Sequence, residues 1–518
     1  MQRAIAGGRR ACQVGAVAAA LLLARAPAAA QDMYPPNKTY FEARAADGVT
    51  VAEGCLSDPV FASSRPCGPR AKKAVEVITR LRTLLGPFPQ KRLTVEYAVT
   101  REEQKRFVAV ETGKIQAGDD VMAVATDDLV IPDFLPRETA RQWLLGAALR
   151  WRGGDVWLAE GLPEYLAWRD LQSTNPEVAR TLVAEAMRDS VAGSRERPAF
   201  GFWGGGSGQE EATIAASRQR GLLILRTLET VIDRERVDRV LPLFLRRYAG
   251  RPVSAVEFER VCEEVAGRNL SWFFTYFGTG GGVPEIEMRR VPSESAGVAA
   301  GEISVKGLPA EGSVRVEVTV RTAQGAVQHS VATHGAVTPF TVNVPGPALS
   351  MTMDPEQRIL RWTEGARRWK AQLAILATLT GPPAVKDPPA VIDAYRRALG
   401  ADPADASLRA QALHERLGKI EFERHDLEAA MAELDMAING HALSPLETYL
   451  NRGRAYLSRI EVWQKMERRD QAKADARAGL DLPGAVLLQE ANPDAGPSGA
   501  TLGLALGMRQ ALLTRHSP

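Results

Sequence analysis

The chain has 518 residues, 65 basic and 62 acidic side chains, 45% hydrophobic residues and a formal charge of +3. That length predicts several domains rather than one core. The near balance of charge gives no basic excess for nucleic-acid binding, so that class of partner is excluded.

Residues 1–30 read as a secretory signal peptide. Arg3, Arg9 and Arg10 precede an apolar run from Val14 to Leu23, and Ala28-x-Ala30 offers a small-residue cleavage site. Four of the basic residues and none of the acidic ones fall in this segment, which leaves the remainder with a formal charge of about −1. No later apolar run reaches the roughly eighteen residues that a membrane helix needs, so no transmembrane segment is expected. The expected localisation is periplasmic or secreted. Three cysteines follow the signal, Cys55, Cys67 and Cys262. In an oxidising compartment Cys55 and Cys67 are the expected disulfide, with Cys262 left as an odd, buried thiol.

Residues 31–70 lack periodicity and contain Pro35-Pro36, Asp47-Gly48 and Pro66-Cys67-Gly68-Pro69, which reads as an irregular lead with one or two short strands. From Ala71, apolar residues at 74, 75, 78, 81, 84 and 85 keep helical spacing, and Gly86-Pro87 stops the helix. Leu93–Tyr97 and Val121–Ala125 read as strands. Pro136, at a tolerated first-turn place, opens a helix over 137–149, and further helices are expected over 160–170 and 175–190. Phe200–Gly208 reads as a glycine-rich loop. Helices resume from Gly221, over 240–248, 254–266 and 270–277, and Gly278–Pro284 marks a boundary. Ser313–Arg321 and Thr341–Val344 alternate strictly, as strands of a small β-sandwich over 286–362 do. Helical periodicity fills 366–482, and 483–518 form a weakly patterned tail.

The helical part carries a repeat. Ala394-Tyr395-x-x-Ala398, then Leu417-Gly418, Phe422, Ala430, Leu434 and Ala437, look like tetratricopeptide helices. The spacings from Ala398 to Ala437 and on to Ala478 are 39 and 41, longer than that family's repeat.

One stretch carries a constellation with chemical meaning. Arg137 and Arg141 stand one helical turn apart around Glu138, and Glu160 follows Arg141 after eighteen intervening residues within Trp157-Leu-Ala-Glu-Gly-Leu-Pro-Glu-Tyr-Leu166. A zinc peptidase helix pair places His-Glu-x-x-His on one helix and a third ligand, Glu, on the next. Residues 71–285 therefore resemble the catalytic domain of the aminopeptidase N family of gluzincin zinc metallopeptidases. Leu85–Val95, Gly221 with its aliphatic helix, and Met353–Arg361 extend the resemblance through the β-sandwich. It implies a multidomain α+β chain: a thermolysin-like domain, a small β-sandwich and a C-terminal α-helical repeat region.

The resemblance also locates what has changed. The two His ligand places hold Arg137 and Arg141, which offer donors only and cannot give a lone pair to a metal. All six histidines lie beyond residue 320. Glu138 stands at the place of the catalytic base and Glu160 at that of the third ligand. The place of the family's transition-state tyrosine, three residues before Gly221, holds Arg218. The motif that holds a substrate's amino terminus has no counterpart between Gln116 and Pro132. The arginines return positive charge to the place the ion would occupy, and leaving Glu138 and Glu160 unpaired there would cost on the order of 3–5 kcal/mol.

Other catalytic readings are weaker. Ser207 has no histidine base in its domain, and Asp119, Asp120, Asp127, Asp128 and Asp133 lack calcium-loop spacing. The expectation is therefore an exported, metallopeptidase-like pseudoenzyme with no zinc or other cofactor, binding peptide or protein through its cleft. Alternatives are a peptidase with residual activity, using a rearranged metal site, with zinc as its cofactor, or none, and protein binding through the helical repeats.

Overall fold

The computed structural model describes residues 38–46, 48–56, 68–98, 121–125, 134–146, 149–151, 155–192, 208–293, 295, 297–377, 388–401, 408–439, 445–482, 511–512 and 515. The signal peptide, Cys67 and hence its pairing with Cys55, the Ser207 loop, the aspartates at 119, 120, 127, 128 and 133, and most of the tail lie outside these residues.

A four-stranded sheet stands at the amino-terminal end in the order β1 (Lys38–Arg44), β2 (Thr50–Leu56), β3 (Arg92–Ala98), β4 (Val121–Ala125). β1 and β2 form an antiparallel hairpin that aligns Arg44 with Thr50. β2, β3 and β4 run parallel, with Thr50 opposite Arg92 and Thr94 opposite Val121. Parallel neighbours need a crossover, and α1 (Pro69–Leu85) supplies it between β2 and β3. The segment expected to be an irregular lead with one or two short strands thus supplies half of the sheet. The bounds of β2 hide from a periodicity reading because Val51, Ala52 and Glu53 are all buried, so it shows no alternation.

Glu53 is the reason α1 starts where it does. Its Oε2 accepts the backbone N–H groups of Gly68, Arg70 and Ala71 at 3.1, 3.0 and 3.0 Å, and its Oε1 accepts Arg70 Nη1 at 3.2 Å. A strand carboxylate so satisfies the amides that a helix start leaves without partners. Pro69 takes the first turn, two residues earlier than the apolar pattern begins.

The helices that follow are α2 (Phe134–Gly146), α3 (Val156–Thr174), α4 (Pro176–Ala192), α5 (Gly208–Ile232), α6 (Arg234–Tyr248) and α7 (Ala255–Ala266). A short α8 (Ser271–Phe273) runs into a π-helical turn over Phe274–Thr279. Ser254 and Glu257 close a capping box on α7, and Cys262 on that helix is a buried free thiol whose pKa burial pushes well up. α3 is the axis of this layer. Trp157, Leu158, Leu162, Tyr165, Leu166 and Trp168 are all buried, and so much enclosure blurs helical periodicity, which explains why the sequence marks only its middle.

α3 and α5 touch backbone to backbone at Gly161 and Gly221. A Cβ built on Gly221 would fall 1.9 Å from the Trp157 carbonyl oxygen, and one on Gly161 would fall 2.4 Å from Gly221 Cα. Neither position has room for any side chain.

A short parallel pair joins β5 (Arg150–Trp151), which precedes α3, to β6 (Pro252–Val253), which precedes α7, and beyond Gly280 the chain forms two three-stranded sheets. One has the order β11 (Val337–Asn343), β8 (Val298–Lys306), β7 (Glu285–Val291), and the other β10 (Gly325–Ala332), β9 (Arg315–Thr322), β12 (Ser350–Met353). Val314, Val316, Val318 and Val320 point inward, and their core is continuous with that of the helices. The exit from β12 is clamped to α5. Arg226, 2% exposed, donates to the carbonyls of Glu356 at 2.7 Å and Gln357 at 2.9 Å, and Thr227 Oγ1 accepts Leu360 N–H at 2.8 Å.

The last region is helical: α9 (Glu364–Ala377), α10 (Pro388–Ala401), α11 (Leu408–Glu423), α12 (Leu427–Asn439), α13 (Pro445–Lys465) and α14 (Arg469–Leu480). It has two small cores of its own, one around Tyr395, Ala398 and Leu417, the other around Ala430, Leu434 and Val462. Gly418 lets α11 approach α12, since a Cβ there would meet Leu434 at 2.6 Å. Among the described residues no helix is long and apolar enough to cross a membrane.

The glycine contact gives a direct test. Gly221→Ala should destabilise by at least the upper end of the 1–3 kcal/mol typical of overpacking, read as a lower urea midpoint. Gly400→Ala, in α10 with nothing within 4 Å of the added Cβ, should be neutral or slightly stabilising. Equal midpoints for the two variants would contradict the close packing of α3 on α5.

Candidate functional site

The candidate site is where α2 faces α3 and the middle of α5. Helical geometry puts residues four apart on one face. Arg137 and Arg141 therefore share a face of α2, and Glu160 and Glu164 share a face of α3.

Arg141 reaches across to Glu160 as a fork, Nη1 to Oε1 and Nη2 to Oε2, both at 2.9 Å. Arg137 Nη1 lies 3.5 Å from Glu164 Oε2, making a second rung. Glu138 sits between the two arginines, accepting from Arg137 Nε at 3.2 Å and from Arg141 Nε at 3.1 Å. Arg218, on α5, approaches from the third side, with Nη2 at 3.4 Å from Glu160 Oε2. Three guanidinium groups thus meet three carboxylates, and charge balances locally.

The cluster grades from buried to open. Arg137, Glu138 and Glu164 are 6%, 5% and 6% exposed. The Arg141, Glu160 and Arg218 side chains rise to 15%, 16% and 23%. Burial alone would raise the Glu138 carboxyl, but Arg141, Arg137 and Arg218 outweigh it and hold the group below the usual carboxylate range. Glu160 has the same balance: burial pushes up, the Arg141 fork and then Arg218 pull further down. Both are carboxylates at neutral pH, the wrong form for a general acid. The paired carboxylates in turn hold Arg141 above its ordinary value, against the effect of burial.

A zinc ion does not fit this donor set. Arginine has no lone pair to give, and each oxygen of Glu160 already accepts an arginine N–H at 2.9 Å. Among the described residues there is no group of three or more His, Cys, Asp or Glu placed to hold a metal.

The structure brings together Arg137, Glu138, Arg141, Glu160 and Arg218. Sequence reasoning missed the sixth member, Glu164. Its signal was present: Glu164 follows Glu160 by four residues just as Arg141 follows Arg137. A second polar network on α3 was also missed. The Tyr165 hydroxyl donates to Glu229 Oε1 at 2.6 Å and accepts from Arg169 Nη1 at 2.9 Å, while Arg169 grips Asp238 at 2.6 and 3.1 Å. Burial, reinforced by Glu229, pushes the Tyr165 phenol well up, so it stays protonated. These bonds fasten α3 to α5 and α6. Asp155, just before α3, accepts Ala255 N–H at 2.9 Å and ties its start to α7.

No protein-family model and no curated protein matches the chain. Among solved structures it is similar to Legionella pneumophila aminopeptidase A in complex with aspartic acid, with a TM-score of 0.50 at 10% identity. The match covers 88% of this chain and 59% of the Legionella chain, so this chain spans well under two thirds of that protein's length. The fold is peptidase-like, rich in helix with small sheets.

Two outcomes follow from the charge balance. Arg141→Met leaves Glu138 and Glu160 short of a partner and should cost about 3 kcal/mol, the low end of the range for breaking a buried pair, because the rung is partly open to solvent. An unchanged urea midpoint would contradict it. Because Glu138 and Glu160 have lowered folded-state pKa values, the stability they supply is complete above the unfolded value of about 4.3 and is lost as pH falls through the folded values. A Glu138→Gln/Glu160→Gln variant should therefore show a flatter stability profile below pH ~4.3 than the parent chain.

Proposed function

We propose that this chain is a metal-free, non-catalytic relative of the aminopeptidase N family, acting in peptide or protein binding or as a scaffold. One observation carries the reading: the Arg141 guanidinium occupies both oxygens of Glu160, the carboxylate that the sequence resemblance assigns to zinc. A helix pair built to hold an ion between two imidazoles and a carboxylate instead holds guanidinium groups in ion pairs. Arg218, in the place of the transition-state tyrosine, is a second supporting feature. The peptidase-like fold makes peptides the first ligand class to test, and the similar Legionella structure is of an aminopeptidase with aspartic acid bound.

The amino-terminal segment supports export, and the proposed location is the periplasm or the medium. The C-terminal helices, with small cores separate from that of the front domains, favour a second role as a tetratricopeptide-like surface for protein partners.

The test is a metal analysis of the purified full-length protein beside cleavage assays on aminoacyl and oligopeptide substrates with and without chelator. Substoichiometric zinc and no chelator-sensitive turnover are expected. Stoichiometric zinc with chelator-sensitive cleavage would replace this reading with that of a peptidase using a rearranged site. Pull-downs with the full chain and with residues 366–518 deleted separate a role at the charge cluster from one in the helical region.

A further inference from the structure

We propose that Arg218 is a carboxylate-binding residue at the open edge of the charge cluster, and that its ligand is a peptide presenting a free carboxylate. The inference rests on the peptide-binding reading above and gives it a chemistry. That chemistry is opposite to the amine recognition an aminopeptidase-like frame implies.

The three arginines are not equivalent. Arg141 is fully engaged, with its Nη pair on Glu160 at 2.9 Å and its Nε on Glu138 at 3.1 Å. Arg137 is deep in the cluster, its side chain 8% exposed, between Glu138 and Glu164. Arg218 differs from both. Among the described residues it makes one long contact, 3.4 Å, to an oxygen that already accepts a shorter bond from Arg141. Its Nε is buried without a hydrogen-bond partner among the described residues, yet its side chain is the most exposed of the three at 23%.

A guanidinium offers five donors in a rigid planar fork that matches a carboxylate, and a buried donor without an acceptor is unfavourable. A ligand carboxylate meeting the solvent-exposed part of the Arg218 guanidinium would accept charge-assisted bonds from it. It would disturb neither the Arg141 fork nor Glu138. Glu160 remains neutralised by Arg141, so the incoming anion does not have to compete for the charge that Glu160 needs. A cation is disfavoured at the same place, because the guanidinium stands on the solvent side of the carboxylates. The backbone contact of Gly161 with Gly221 fixes the height of Arg218 over Glu160, which presents the fork already oriented.

Isothermal titration calorimetry on the full chain with three N-acetylated peptides tests this. They are acetyl-trialanine as the free acid, the same peptide as its amide, and acetyl-Ala-Asp-Ala amide. The free acid or the aspartyl peptide should bind at least about tenfold more tightly than the neutral amide, as loss of a charge-assisted pair implies. Comparing those two identifies whether a chain terminus or an acidic side chain is taken. Arg218→Ala should remove the preference, and Arg218→Lys, which keeps the charge but not the fork, should keep only part of it. Equal binding of acid and amide, no binding of either carboxylate peptide, or an unchanged preference in correctly folded Arg218→Ala would overturn the assignment. Each of those results leaves the non-catalytic reading in place. Chelator-sensitive cleavage would sink that reading instead.

Discussion

The front half of the molecule depends on a helix-to-helix salt bridge that closes at both oxygens. Arg141 on α2 and Glu160 on α3 meet as two planar groups with both bonds at 2.9 Å. Once this pair forms, the remaining charges are constrained in turn. Glu138 must share the two arginines beside it, Arg137 faces Glu164, and Arg218 is left with the shared side of Glu160. Buried ion pairs repay their desolvation only when the geometry is close and the remaining donors and acceptors are satisfied. Here the Arg141 fork meets that condition and the more exposed Arg218 does not, which is what separates the structural part of the cluster from the part open to a ligand.

Such a cluster is not the cheapest way to hold two helices together. Apolar residues of similar volume at the same places are often as stable or more so. The frame around it is apolar, with Trp143 of α2 and Tyr165 of α3 enclosed, so apolar packing holds these helices together beside the ion pairs. Two rungs one helical turn apart, Arg141 to Glu160 and Arg137 to Glu164, match α2 to α3 in a single register. They also leave a positive group at the surface end, where the environment is least buried.

Much of the site was legible in the sequence through its resemblance to a zinc peptidase helix pair. The resemblance put Glu138, Glu160 and Arg218 beside Arg137 and Arg141, and helical spacing put those two arginines on one face. What the spacing could not say was how the guanidinium groups divide their bonds, since that depends on side-chain geometry. Glu164 escaped because attention to a three-ligand pattern ends at Glu160. The alternating strands β9 and β11 were equally readable, with one face in and one out. Within 31–70 one or two short strands were expected without bounds; β2 shows no alternation because Val51, Ala52 and Glu53 are all buried, whereas in β1 the exposed Glu42 and Arg44 alternate with half-buried Phe41 and Ala43. The cap of α1 by Glu53 was hidden for a related reason: the carboxylate comes from a different element, fifteen to eighteen residues earlier. The clamp between α5 and the exit of β12 spans more than a hundred residues and involves backbone carbonyls, which carry no sequence signature.

The meeting of Gly161 with Gly221 has a consequence for how this architecture changes over time. With no side chain between the two backbones, their separation is set by main-chain atoms and is independent of whatever residues stand nearby. Residues at 137, 141, 160 and 218 can then be exchanged one class for another while the scaffold that displays them keeps its dimensions. A frame of that kind keeps its dimensions whatever chemistry its side chains carry.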